Sequence, residues 1–300
     1  MTSPPKEREA IHGILLLNKP AGMTSNTALQ KAKRTFSAKK AGHLGNLDPI
    51  ATGLLPICFG EATKFSQFVL EADKAYQVTI QLGIETTTGD TEGEVLSTLP
   101  VHVNEGQVRE VLASFLGDNE QTPPMYSAVK HHGKALYHYA RAGLVVPRAS
   151  RQIRIHQIDF QGLENGLLHF WVSCTKGTYV RILAEDIGKK LGCGAHVVSL
   201  ARTHAGCFTL DHCISLDQLE AMDEKARLAT LLPVDALLAG LPKIELDPDP
   251  IYYLFRGQEV WQPKIHEKGL VRLYDKNDLF LGLGEITVSG RIAPRRLVRI

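Results

Sequence analysis

No Cys-x-x-Cys pair occurs in this sequence, and its five cysteines (Cys58, Cys174, Cys193, Cys207 and Cys213) stand apart from one another. Four of them sit beside apolar or small residues, as buried free thiols commonly do, so neither a disulfide framework nor a zinc site is expected. The twelve histidines are scattered, and the adjacent pair His131 and His132 lacks the i, i+4 spacing that aims two rings at one ion, so no metal is expected. There is no uninterrupted apolar run of about eighteen residues, the length a membrane-spanning helix requires. The opening residues MTSPPKEREAIHG hold no apolar core of a secretion signal, which predicts a cytoplasmic chain with no membrane partner. Strong charge of one sign is missing too: the formal net charge is +2, too little to announce a nucleic-acid partner by itself. Internal repeats and low-complexity segments are absent, which excludes solenoid and disordered architectures.

What is present is the makeup of an ordinary globular protein, 44% hydrophobic and 22% charged over 300 residues, enough to bury a sizeable core in one large domain with a small one. The charge is unevenly spread. Positions 31 to 40 carry Lys31, Lys33, Arg34, Lys39 and Lys40 without an acid, a pattern that suits a helix facing phosphates and equally a solvated helical face.

Gly13 to Asn18 (GILLLN) reads as a buried strand closed by Lys19 and Pro20, after which Ala28, Leu29, Ala32 and Phe36 recur at helical spacing. Residues 41 to 60, punctuated by glycine and proline, fit neither period and read as an unusually apolar, structured loop. After a short helix from Glu61, AYQVTIQL alternates strictly, with Tyr76, Val78, Ile80 and Leu82 on one side. Asn104 reads as the N-cap of a helix through Val108, Val111, Leu112, Phe115 and Leu116, stopped by Gly117. Between Gln121 and Arg154, basic and aromatic side chains interleave around a short helix at Ala135, Leu136 and Tyr139, as on surfaces that meet phosphates and unstacked bases. Leu168, Phe170, Val172 and Cys174 form another strand face. Past the tight turn Thr175-Lys176-Gly177-Thr178, the residues Val180, Leu183, Ala184, Ile187 and Leu191 keep helix spacing. A composition shift at Pro242 to Pro250 marks a linker, and two strands joined at Lys276-Asn277-Asp278 begin a small β domain reaching Ile300. Strand and helix signals mix without a βαβ rhythm, which predicts an α+β fold around a largely antiparallel sheet.

Asp48 precedes Pro49 in GNLDPIATG, where the proline ring presses the aspartate toward extended geometry. Alone, that is also the pattern of a turn starter whose carboxylate caps nearby amides. The wider segment Gly42 to Phe65 (GHLGNLDPIATGLLPICFGEATKF) resembles the signature of TruB-type pseudouridine synthases nearly end to end. Lys19 to Ser25 resembles their first motif, Lys74 to Gly83 their tyrosine strand, and Gln121 to Lys134 their RNA-clamping insertion. Cys174 to Val197 resembles their arginine motif, and Gly290 to Val298 the end of their small PUA-like C-terminal domain. The matches run in the family's order along most of the chain.

The resemblance implies that Asp48 is the aspartate essential to the reaction and Tyr76 the tyrosine that packs against the target base. Tyr179 and Arg181 correspond to the second active-site tyrosine and to the arginine paired with the aspartate, and Leu200 to an apolar wall. Lys19 and Pro20 form the motif beside the tyrosine strand, and His43 corresponds to the histidine that occupies space near the flipped nucleotides. Lys33, Arg34, Lys130, Arg141 and Lys176 are the further residues expected to meet RNA. Without the family context, Arg181 also reads as a helix-start ion pair with Glu185, Tyr179 as a core tyrosine and His43 as a loop histidine. The sequence departs from the usual pattern at Asn46 and Ala201, neither of them a catalytic position.

The implied architecture is an α+β pseudouridine synthase fold with a mixed, largely antiparallel central sheet. A catalytic domain over residues 10 to 245 would carry the RNA-clamping insertion at about 120 to 154, followed by a PUA-like domain over 246 to 300. The implied activity is isomerisation of uridine to pseudouridine at position 55 in the T loop of tRNA, by a monomer with no cofactor and no obligatory protein partner. The glycosidic bond must break and the base rejoin through carbon, so the nucleotide must be flipped into a pocket. Asp48 would act as nucleophile or as the base that starts an elimination; the residues leave both open. Two other classes are an RNA-binding folding helper and a guide-RNA-dependent relative of the dyskerin type. The intact aspartate, tyrosine and arginine motifs argue against the first and the long insertion against the second.

Overall fold

The leucines after Gly13 leave strand β1 (Gly13–Lys19) almost no polar face, and it is paired on both edges in the computed structural model, which describes residues 9–263 and 266–299. Residues 1 to 8 and Ile300, to which the sequence reading extended, lie outside the described residues. Helix α1 (Ser25–Thr35) begins at Thr24, whose hydroxyl accepts from the Thr27 amide, and buries Ala28, Leu29 and Ala32. The stretch expected as a loop at 41 to 60 instead contains two strands, β2 (Ala41–His43) and β3 (Thr52–Phe59). β3 is buried along nearly its whole length, so it shows no polar alternation, and Gly53 and Pro56 disguise it further. The helix expected from Glu61 is a 3-10 turn over Gly60–Phe65 followed by the short α2 (Gln67–Leu70).

β4 (Lys74–Leu82) alternates as its sequence predicts, and β5 (Ile84–Thr86) and β6 (Val95–Thr98) form a hairpin beyond it. Helix α3 (Glu105–Ala113) starts in a reciprocal capping box between Asn104 and Gln107 and leads to β7 (Gly117–Gln121). The insertion then carries β8 (Lys130–His131), β9 (Lys134–Ala135) and α4 (Leu136–Ala140). It leaves the sheet at Gln121 and returns at Arg151, which pair with each other where β10 (Arg151–Glu164) begins. β11 (Leu167–Cys174), α5 (Val180–Lys190), β12 (Ala195–Ala205), β13 (Phe208–Thr209), β14 (Ile214–Ser215), α6 (Leu216–Ala221) and α7 (Glu224–Ala229) complete the large unit.

The strands run in the order β14, β1, β3, β12, β4, β11, β10, β7, with β13 on β12 and β2 on β3. The β1–β14 and β3–β12 pairings are parallel and the others antiparallel, so the sheet is mixed and largely antiparallel, as the resemblance implies. Pro242 to Pro250, expected as a linker, contributes β15 (Lys243–Glu245) and the start of α8 (Pro248–Leu254). β15 adds in parallel to a second sheet made with β16 (Gly269–Tyr274), β17 (Phe280–Ile286) and β18 (Ile292–Leu297). The two sheets share apolar packing: Phe65 meets Phe280 edge-on at 5.6 Å between ring centroids. Leu237, Leu238, Leu283 and Val298 belong to the same cluster.

Candidate active site

Asp48 lies in the loop between β2 and β3, and buried side chains from the first motif fix that loop. The Ser25 hydroxyl accepts from the Leu47 amide at 2.7 Å and lies 3.0 Å from the Leu47 carbonyl, to which it donates. The Lys19 ammonium donates to the carbonyls of Pro20, Met23 and Pro49 at 2.9, 2.7 and 3.4 Å. Lys19 is fully buried, and its ammonium braces the turn that presents Asp48. Burial pushes its ammonium down to about 8 while the Asp48 carboxylate pulls it up.

Arg181, in the first turn of α5, points at this loop and not at Glu185. Its Nε lies 2.9 Å from Asp48 Oδ2 and 3.7 Å from Asp90 Oδ2. Nη1 donates to the Thr88 carbonyl at 3.0 Å and Nη2 to the Tyr126 carbonyl at 2.8 Å. The arginine side chain is 5% exposed and that of Asp48 30%, so the carboxylate is the member of the pair that a ligand reaches. Burial raises the Asp48 carboxyl above its ordinary value, Arg181 opposes that shift, and Asp90 reinforces it.

Tyr76 and Leu200 come from neighbouring strands, β4 and β12. In their antiparallel register Leu200 stands across from Val78, and Tyr76 from Arg202. Tyr76 is buried, and its phenol is pushed up to about 12, by burial first, with the Arg202 charge acting the other way. Tyr179 caps the N-terminus of α5. The buried Gln121 side-chain amide grips its backbone twice, accepting from the Tyr179 amide at 3.0 Å and donating to its carbonyl at 3.3 Å. The Arg151 guanidinium lies over the Tyr179 ring at 4.7 Å. Asp48, Tyr76, Tyr126, Tyr179, Arg181 and Leu200 thus line one cavity of about 130 Å³. A ligand entering it would meet a carboxylate, three aromatic rings and an apolar wall.

The remaining expected residues lie outside that cavity lining. His43, in β2, is half-buried with an unpartnered Nδ1, and burial, helped by the Arg202 charge, pushes its imidazole down, favouring the neutral ring. Pro20 is exposed, Lys33 half-buried and Arg34 exposed. Lys130 and Arg141 are exposed on the insertion, Arg141 over the Tyr137 ring at 5.5 Å. Lys176 is exposed and ion-paired with Glu71. Sequence reasoning missed Asp90, Gln121 and Arg202, three buried polar side chains: Asp90 and Gln121 contact Arg181 and Tyr179, and Arg202 stands across from Tyr76 in the strand register. None carries a spacing signal, because each partner is remote along the chain.

Comparison with known proteins gives a consistent result. The N-terminal domain of TruB family pseudouridylate synthases matches residues 33–180, the C-terminal domain of tRNA pseudouridylate synthase B residues 181–239, and the C-terminal region of pseudouridine synthase II TruB residues 242–298. The tRNA pseudouridine synthase B of Methylobacillus flagellatus is 52% identical over 96% of this chain and 96% of its own. That of Nitrosococcus oceani is 54% identical over 96% of this chain and 95% of its own. Among solved structures, a chain in a crystal structure of a Cbf5-Nop10-Gar1 complex superposes with a TM-score of 0.72 at 26% identity, covering 99% of this chain and 88% of that one. A chain of an H/ACA RNP bound to a substrate RNA containing 2'-deoxyuridine gives 0.71 at 22% identity, over 99% and 89%, a likeness of fold.

Proposed function

This chain belongs to the TruB family of pseudouridylate synthases, and on that premise we propose that it isomerises uridine at position 55 in the T loop of tRNA, with Asp48 as the carboxylate that opens the reaction. The observation that carries this reading is the 2.9 Å contact between Arg181 Nε and Asp48 Oδ2 in the wall of the cavity shared with Tyr76 and Leu200. The reaction is redox-neutral and its electrons stay within the substrate, so no cofactor is called for. Because a stacked loop hides the sugar C1′ and the base C6, the target nucleotide flips into the cavity, where the Tyr76 ring replaces its lost stacking neighbours. Arg181 offsets the burial of Asp48 and favours the ionised form. The carboxylate then attacks as a nucleophile or removes a sugar proton to start elimination. Rejoining the base through carbon requires a proton to leave, and we assign its relay to the Tyr76 hydroxyl.

Lys33, Arg34, Lys130, Arg141 and Lys176 hold the tRNA T stem-loop through phosphates without reading its sequence, and His43 occupies space beside the flipped nucleotides. The catalytic unit spans residues 10 to about 242 and the PUA-like unit follows it, since β15 (Lys243–Glu245), read from the sequence as the end of the catalytic unit, pairs with β16 of the second sheet. Tritium release from C5-labelled uridine in tRNA, with the purified protein alone, tests the proposal. Binding without release would favour a folding helper, and release that needs added guide RNA and proteins would favour the guide-dependent reading.

A further inference from the structure

The root of the insertion holds Tyr179 from two sides. Gln121 ends β7 and Arg151 begins β10, and the two are partners in the strand register, so the chain between them leaves and re-enters the sheet at one pair. Gln121 is buried, 4% exposed, and lies against Tyr179, whose backbone is extended at φ −99° and ψ 111°. Its Oε1 accepts from the Tyr179 amide at 3.0 Å and its Nε2 donates to the Tyr179 carbonyl at 3.3 Å. Only one orientation of a primary amide makes both bonds, since the flipped group would set donor against donor and acceptor against acceptor. The glutamine thus pairs with the Tyr179 backbone as a neighbouring strand residue would, at the point where α5 starts without a side-chain cap of its own.

Arg151 takes the other side. Its guanidinium lies over the Tyr179 ring at 4.7 Å and donates to the Gly177 carbonyl, in the turn that leads to Tyr179. The insertion also reaches the site directly, because the Tyr126 carbonyl accepts from Arg181 Nη2 at 2.8 Å. We propose that Gln121 and Arg151 are positioning residues for Tyr179, making the place of its ring in the cavity depend on the root of the insertion. One fixes the backbone from which the ring projects, and the other fixes the ring. The cavity lining includes Tyr179 and neither of the two, so each acts on the chemistry through Tyr179. The segment that grips RNA and the wall that receives the flipped nucleotide are then one connected piece of structure. The inference rests on the reading of Tyr179 as an active-site residue.

Single-turnover rates on a T stem-loop RNA with saturating enzyme test it, at a temperature where every variant is folded. Gln121→Met keeps the length of the side chain and loses both hydrogen bonds. Its rate should fall about ten- to a hundred-fold while RNA affinity stays within about three-fold, the signature of a misplaced group and not of a lost RNA contact. Arg151→Met should do the same, and it carries the test if Gln121→Met does not fold. Weaker binding with a flattened salt dependence and an unchanged saturated rate would make Arg151 a phosphate contact and overturn its part, as a wild-type saturated rate in Gln121→Met would overturn the other. In a Tyr179→Leu background either change should alter the rate by less than about two-fold. Equal losses in both backgrounds overturn the proposal and leave the Tyr179 reading intact, whereas a Tyr179→Leu rate within about three-fold of wild type removes both. Where Tyr179→Leu is too slow to time, Gln121→Met and Arg151→Met are combined with each other: the double loss should not exceed the greater single loss, and losses that multiply overturn the proposal.

Discussion

At Asp48 two influences oppose each other, and their balance governs the pH range in which the site can work. Burial raises the carboxyl above its ordinary 3.8, and Arg181 pulls it back. If Asp48 opens the reaction as proposed, it must be ionised, so turnover should fall as pH drops through a midpoint above 3.8, in a range where a free aspartate is still ionised. Arg181→Lys should move that midpoint higher, because a lysine cannot hold Asp48 and the carbonyls of Thr88 and Tyr126 at once. It should also slow turnover about ten- to a thousand-fold, or about 1.4 to 4 kcal/mol. A pH series of single-turnover rates checks both effects; a wild-type profile would reduce Arg181 to a structural tie. Asp48→Asn keeps the side-chain volume without the charge, so RNA binding should stay within a few-fold of wild type and turnover should vanish. Activity above a few per cent would move the chemistry to another group.

Among the elements, α1 offers a direct electrostatic test. Its last turn carries Lys33 and Arg34, and Lys39 follows exposed beyond its end. Replacing the three together should weaken all tRNAs alike and flatten the salt dependence of binding, since phosphate contacts release counterions and carry no sequence information. An unchanged slope would leave α1 as a solvated face. Elements were legible in the sequence where one face is buried, as in β4 with its alternating Tyr76, Val78 and Ile80 and in α5 with its helix-spaced core residues. β3 was not, because it is covered on both sides and has no polar rhythm to read. The site residues Asp48, Tyr76, Tyr179, Arg181 and Leu200 were found through the family motifs and do line one cavity. Gln121 and Arg202 escaped because their partners, Tyr179 and Leu54, lie 58 and 148 positions away. Lys19 was found through its motif, but only the fold shows its ammonium turned inward onto the turn before Asp48.

For the whole molecule, the question is whether the second sheet is an independent body or part of one cooperative unit. Phe280 on β17 is 7% exposed and packs edge-on against the fully buried Phe65 of the large unit. Polar ties lie beside that contact: Asp235 pairs with Arg272 at 3.4 Å and accepts from the Tyr274 hydroxyl, and the Arg299 amide donates to Glu61 at 2.7 Å. A shared core of this kind couples the two sheets, because neither side can open without exposing the other's apolar face. Phe280→Ala should therefore destabilise the protein by about 3 to 5 kcal/mol, the cost of removing a buried ring and leaving a cavity. Unfolding should remain a single transition at a lower temperature, with secondary structure and calorimetric heat lost together. An independent second sheet would respond differently: the scan would split, with a small early transition moved by Phe280→Ala and a large late one left in place, and that outcome would reduce the Phe65 contact to a passive docking of two separately stable bodies.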